Sequence, residues 1–194
     1  MTRFRKLSTT LLFLSATALA GAAVLSAPAL AAKGGIPGPN PDAPGQIKKA
    51  NGPTVNTADG PVRGFVENGV NKFLGIPYAA PPVGALRWMP PAPAAHHALL
   101  DATEFANTCP QVTELGAFAG PSSVTEDCLY LNVFTTGGSN KPVIVWIHGG
   151  GNVDGETNDY DGSKLATGGP SGTPAVVVTI NYRLGLFGFF SIPL

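Results

Sequence analysis

Charge is scarce in this 194-residue sequence: Asp, Glu, Lys and Arg make up 12% of it, against about a quarter of an average soluble domain. Basic residues stand singly apart from Lys48-Lys49. Neutralising a phosphate backbone needs clustered Lys and Arg, so nucleic acid is excluded as a partner. Histidine is limited to three residues and cysteine to two, and no glycine loop continues as Gly-Lys-Ser/Thr or reads G-x-G-x-x-G. The common phosphate-binding loops are thereby excluded. No internal repeat is present, and no long amphipathic helix is legible beyond the first 31 residues. Gly (25) and Pro (19) are abundant by contrast, which points to strands and loops rather than surface helices.

The N-terminus has the layout of an export signal. Arg3, Arg5 and Lys6 precede an apolar stretch from Leu11 to Leu25, and Ala29 and Ala31 flank Leu30 at the spacing signal peptidase prefers. Cleavage is expected after Ala31 or Ala32, with the mature chain starting near Lys33. The stretch is short and interrupted by Ser15, Thr17 and Gly21, below the roughly 20 strongly apolar residues of a membrane span, so no stable membrane anchor is expected. No cysteine lies near the cleavage region to take a lipid, and Arg3-Phe4-Arg5 is not a twin-arginine pair. The expected location is therefore secreted. Losing the signal removes three of the twelve basic residues and leaves twelve acidic ones, so the mature chain is mildly acidic. In an oxidising compartment Cys109 and Cys128 are expected to pair; two unpaired buried thiols are the alternative.

Residues 32–53 carry almost no large apolar side chain and are rich in Gly and Pro, so they are expected to form a flexible leader. Ordered structure is expected from residue 54 to 194. Val62, Phe65 and Val66, then Val70, Phe73, Leu74 and Ile76, flank Asn68-Gly69, a strong hairpin signal. Pro81-Pro82-Val83-Gly84 reads as a turn. Strands are expected at Leu129–Phe134, Val143–Ile147 and Ala175–Tyr182. The last two are nearly unbroken β-branched runs, the pattern of strands buried on both faces of a parallel or mixed sheet. One short helical segment fits between Asp159 and Thr167. The sheet's covering helices are missing from the sequence, although an α/β sheet needs them.

The segment that carries chemistry is Trp146-Ile147-His148-Gly149-Gly150-Gly151, where an apolar strand runs straight into three glycines. Ligands of open α/β sheets bind beyond the carboxyl ends of strands. Glycines there let the backbone bend tightly and bring N–H groups close to a bound group. Donors aimed at one point stabilise the oxyanion formed when a nucleophile attacks an ester carbonyl, at about 3 kcal/mol of barrier each.

The surrounding sequence resembles the type B carboxylesterase and cholinesterase family. The resemblance runs through Phe73-Leu74-Gly75-Ile76-Pro77-Tyr78-Ala79, Pro81-Pro82-Val83-Gly84 with Leu86-Arg87, and Glu126-Asp127-Cys128-Leu129-Tyr130-Leu131-Asn132-Val133-Phe134. It continues through Val145 to Gly151 and on to Ile180-Asn181-Tyr182-Arg183-Leu184-Gly185-Leu186-Phe187-Gly188-Phe189. It implies an α/β-hydrolase fold, here an N-terminal hairpin plus the first strands of a mixed central sheet, incomplete. It also implies serine esterase activity on small-molecule esters, without a cofactor or metal. Gly150 and Gly151 would then be oxyanion donors, with His148 and Gly149 supporting the loop. Cys109–Cys128 would be a disulfide and Arg87–Glu126 a structural ion pair, two solvated charges being the alternative. Arg183 would pair with a carboxylate beyond Leu194.

Three positions depart from the family pattern. Asn152 stands where an aromatic residue is usual, Thr136 replaces a proline, and the cysteine loop holds Phe118 but no tryptophan, so the aromatic face for a quaternary ammonium is not evident. No G-x-S-x-G elbow occurs. In this fold serine, acid and histidine all follow the oxyanion loop, whereas His96 and His97 precede it and His148 sits inside it. None of the catalytic triad is therefore present. The expectation is the N-terminal part of a secreted ester hydrolase, inactive alone for want of a nucleophile. A non-catalytic, cholinesterase-like binding or adhesion protein is the alternative. Asp154, Glu156, Asp159 and Asp161 are expected to form a solvated acidic loop.

Overall fold

The computed structural model describes residues 52–116 and 119–190. The expected signal segment 1–31, the leader up to residue 51 and Phe118 lie outside the described residues. Two sheets organise the rest. β1 (Thr54–Thr57) and β2 (Gly60–Arg63) pair antiparallel, and β2 also pairs parallel with β5 (Leu100–Asp101). Val62 thus belongs to this small sheet rather than to the first arm of the Asn-Gly hairpin.

That hairpin opens the second sheet. β3 (Phe65–Glu67) and β4 (Val70–Pro77) pair antiparallel with Glu67 opposite Val70. Asn68 and Gly69 both have positive φ, 50° and 77°, as a two-residue turn matched to strand twist requires. β6 (Tyr130–Thr135), β7 (Val143–Ile147) and β8 (Val176–Ile180) complete a five-stranded mixed sheet in the order β3-β4-β6-β8-β7. Only the β7–β8 pair within it is parallel, Val143 facing Val176 and Ile147 facing Ile180. Non-sequential order follows from this pairing: the chain leaves β7 at the edge, crosses over, and returns as β8 between β7 and β6. The crossover holds a 3-10 turn, Thr157–Asp159, and a one-turn helix, Ser163–Ala166.

Apolar burial locks the hairpin to the crossover. Phe65, Val70, Leu74, Phe134, Ala166, Ala175 and Val177 form one core cluster. Beside it Lys72, only 7% exposed, donates from Nζ to Glu67 Oε2 at 2.5 Å and Asp161 Oδ2 at 2.7 Å, meeting the requirement that a buried charge be paired. The register of β4 on β6 shifts between Phe73 and Ile76. There the Asn132 side chain accepts from the Gly75 N–H at 2.9 Å and donates to Thr179 Oγ1 at 3.1 Å.

The expectation for β7 is overturned. β7 is not buried on both faces: all five residues are exposed, Val143 by 63% and Ile147 by 61%. It is an edge strand, with no second neighbour among the described residues, and its Trp146 ring meets that of Tyr160 at 5.3 Å. β8, flanked by β6 and β7, alternates buried and half-buried positions instead. No helix among the described residues is long and apolar enough to cross a membrane.

Candidate active-site loop

β7 ends at Ile147 and delivers the chain into His148–Gly155. Gly150 has φ 119°, Gly151 60° and Asn152 64°, three successive positive values that turn the backbone sharply back. Asparagine is among the few non-glycine residues that take this region readily. The reversal is closed by the Gly150 carbonyl, which accepts from the Val153 N–H at 3.0 Å and the Asp154 N–H at 3.2 Å. A Cβ on Gly150 would lie 1.6 Å from the Asp154 carbonyl oxygen, so no side chain fits there. Among the described residues no acceptor engages the N–H of Gly150 or of Gly151. The loop therefore presents backbone donors at the carboxyl end of a strand.

His148 is buried at the start of this loop. Its Nδ1 lies 2.8 Å from the Gly149 carbonyl oxygen, and the ring stacks on Tyr182 at 4.5 Å. The Tyr182 hydroxyl donates to the His148 carbonyl at 2.9 Å. Burial pushes the imidazole below its ordinary value of 6.5, outweighing the Gly149 hydrogen bond and the charges of Glu156 and Asp154. A neutral ring at pH 7 then donates from Nδ1 to the carbonyl.

Asp154 and Glu156 are not solvated, contrary to expectation; only Asp159 and Asp161 of the four acids are exposed. Asp154 is fully buried, and its Oδ2 accepts from the N–H groups of Glu114 and Leu115 at 3.0 and 2.9 Å. Glu156 accepts from the Thr108 hydroxyl and, at 3.1 Å, from Asn158 Nδ2. Gly155 N–H donates to Gln111 Oε1 at 2.7 Å, and Thr157 N–H to Asn181 Oδ1 at 2.8 Å. Sequence reading missed all four of these ties. Apart from Asn158, two positions from Glu156, their partners lie 24 to 48 positions away, where no local pattern could signal them.

Gln111, Glu114 and Leu115 lie in a segment closed by a Cys109–Cys128 disulfide, Cα atoms 4.9 Å apart. Arg87 meets Glu126 in a fork, Nε donating to Oε2 at 2.6 Å and Nη2 to Oε1, and so ties the chain before β5 to this segment. Glu126 is the more buried partner. Arg183 donates from Nη2 to the Met89 carbonyl at 3.0 Å, while its buried Nη1 has no partner among the described residues. Beside the glycine loop opens a cavity of about 720 Å³, lined by Pro110, Val112, Val124, Val153, Leu186 and Phe187 among others.

A family model described as the carboxylesterase family matches residues 51–193. The para-nitrobenzyl esterase of Bacillus subtilis (strain 168) is 48% identical over 142 residues, covering 70% of this chain and 28% of that protein. The cocaine esterase of Oryctolagus cuniculus is 45% identical over 158 residues, 72% of this chain and 29% of that protein. The fumonisin B1 esterase of Sphingopyxis macrogoltabida is 44% identical over 144 residues, 71% and 26% respectively. Among solved structures, a thermophilic para-nitrobenzyl esterase superposes with a TM-score of 0.64 at 45% identity, covering 72% of this chain and 29% of its own. The chain thus spans under a third of the length of these relatives.

Proposed function

Since the chain belongs to the carboxylesterase family, we propose that it supplies the oxyanion-stabilising part of a carboxylic-ester hydrolase whose nucleophile, acid and base come from outside this sequence. The observation that carries this reading is the pair of unengaged N–H groups, Gly150 and Gly151, at the carboxyl end of β7. When a serine oxygen attacks an ester carbonyl, negative charge develops on the carbonyl oxygen and the leaving alkoxide takes a proton from a base that has just received one. Fixed backbone donors hold that charge without reorganising, each at about 3 kcal/mol. The three residues that must attack and shuttle the proton are not supplied here. His148 is committed to the Gly149 carbonyl and stacked on Tyr182, and no serine stands in a G-x-S-x-G context.

Two features of the fold support an external contribution. β7 is apolar, exposed and open at one edge, and unpaired edges and bare apolar faces are normally covered. A strand added there in parallel ends beside Gly149–Gly151, where a nucleophile is needed. The buried, unpartnered Nη1 of Arg183 is suited to an added carboxylate, since an unpaired buried donor is costly. Three relatives are named esterases of para-nitrobenzyl, cocaine and fumonisin B1 groups. We take small-molecule carboxylic esters as the substrate class accordingly, with the apolar cavity beside the loop receiving one side of the ester.

Export belongs to the same proposal. A signal layout in residues 1–31 and a disulfide at Cys109–Cys128 both suit an oxidising, extracytoplasmic destination. N-terminal sequencing of secreted material should start near Lys33, and an intact Met1 on secreted protein would contradict the export reading. The hydrolase reading is tested with a completed form, in which the remainder of the Bacillus subtilis relative follows residue 190. That form should hydrolyse an activated short-chain ester and the 194-residue chain should not. Equal turnover by both would overturn the proposal.

A further inference from the structure

Asp154 is an acidic side chain with 0% exposure in a glycine-rich loop. No Lys or Arg neutralises it among the described ion pairs. Its backbone and its side chain hold different things. The Asp154 N–H donates to the Gly150 carbonyl, and the Asp154 carbonyl and Oδ1 lie 1.6 and 3.0 Å from where a Gly150 Cβ would stand. Oδ2 accepts two successive N–H groups, Glu114 and Leu115, from inside the disulfide-closed segment. Oδ1 is buried without a partner. A buried acceptor left unpaired costs stability, so something other than stability accounts better for an aspartate here.

We propose that Asp154 is a positioning residue that couples the disulfide-closed segment to the conformation of the Gly150–Gly151 turn. The coupling has two ends on one residue: any displacement of Glu114–Leu115 pulls on Oδ2, and the backbone of the same residue closes the turn. Gln111 adds a parallel tie through the Gly155 N–H. Glu114 and Val153 also line the 720 Å³ cavity, so a residue whose N–H is held by Asp154 Oδ2 and the residue before Asp154 in the chain both face it. A group that fills the cavity and moves the disulfide segment therefore shifts the two N–H donors. The functional meaning of that shift rests on the oxyanion reading above; the mechanical coupling does not.

The test is residue-resolved amide NMR on the full 194-residue chain, because it reads the turn directly and needs no turnover. Asp154→Ala removes the acceptor and should move the amide resonances of Gly150 and Gly151 together with those of Glu114 and Leu115. Asp154→Asn keeps a carbonyl oxygen that can accept both N–H groups, and should restore all four resonances towards the parent positions. Reducing the disulfide should move the Gly150 and Gly151 resonances in the parent chain, and move them less in Asp154→Ala. Disturbance of Glu114 and Leu115 with Gly150 and Gly151 unmoved would overturn the proposal, as would an Asn variant indistinguishable from Ala. If the Ala variant does not fold, the reduction experiment on the parent decides: glycine resonances that ignore disulfide reduction contradict the coupling. Ester hydrolysis by the completed form is a separate readout, so loss of the oxyanion reading and loss of this proposal are told apart.

Discussion

Substituting the glycines one at a time separates space from hydrogen bonding in the loop. Alanine at 150 would place its Cβ 1.6 Å from the Asp154 carbonyl oxygen and 2.6 Å from the carbonyl carbon. Neither is a flexible side-chain end, so the Gly150–Asp154 turn must open, taking both N–H donors out of place. Misplacing even one oxyanion donor costs about a hundredfold to a thousandfold in turnover, and Gly150→Ala in the completed form should lose at least the hundredfold. Alanine at 151 meets nothing closer than Val153 Cγ2 at 3.9 Å. It keeps its N–H and bears only left-handed strain, about 1–2 kcal/mol, in a turn where Asn152 already holds φ 64°. Turnover should stay within about tenfold of the parent, the strain appearing as lowered stability. Proline at 151 has no N–H and is fixed near −65°, far from the observed 60°, so it should fall at least as far as Gly150→Ala. The assay is initial-rate hydrolysis of an activated short-chain ester at saturating substrate, with circular dichroism to verify folding. Equal damage from the two alanines, or full activity in the Gly150 variant, would refute the reasoning.

Other consequences concern the scaffold. Replacing Cys109 and Cys128 by serine releases a 19-position loop and should cost about 3 kcal/mol on the chain-entropy argument, near 10 °C in Tm at about 3–4 °C per kcal/mol for a domain of this size; thiol titration of the denatured parent should find no free thiol. Burial alone would raise the Asp161 carboxyl, but hydrogen bonds from Lys72 and Ser163 outweigh it and hold it below its ordinary 3.8. A carboxyl depressed in the folded state stabilises above its unfolded value and loses that contribution as pH falls through its folded value. Tm measured against pH should therefore show Asp161→Asn less stable than the parent at pH 7, with the difference vanishing in acid; a constant difference would contradict the Lys72 pairing.

What the sequence discloses and what it hides divide along the range of the interactions. The hairpin at Asn68-Gly69, the β-branched run of β8, and the strand-to-glycine junction at Ile147–Gly151 are local signals, and each lies where expected. β1 and β5 escaped notice because TVNT and Leu100-Asp101 are short and take their partners from distant segments. The exposure of β7 could not be read either. A run such as VIVWI records that a strand is made for burial, not whether the burying partner is in the same sequence. Acidic residues after glycines look like a solvated loop, and only the distant N–H groups of Glu114 and Leu115 show why Asp154 is buried. Arg87–Glu126, 39 positions apart, was visible through family resemblance alone, and the structure forms it as a fork.

The central claim, that this chain furnishes oxyanion donors but no nucleophile, is met most directly by covalent labelling with a fluorophosphonate, which reacts with an activated serine. Intact-protein mass spectrometry should show no adduct on the 194-residue chain and one adduct on the completed form, on a serine contributed by the added segment. A stoichiometric adduct on any serine between residues 33 and 190 of the chain alone would contradict the account.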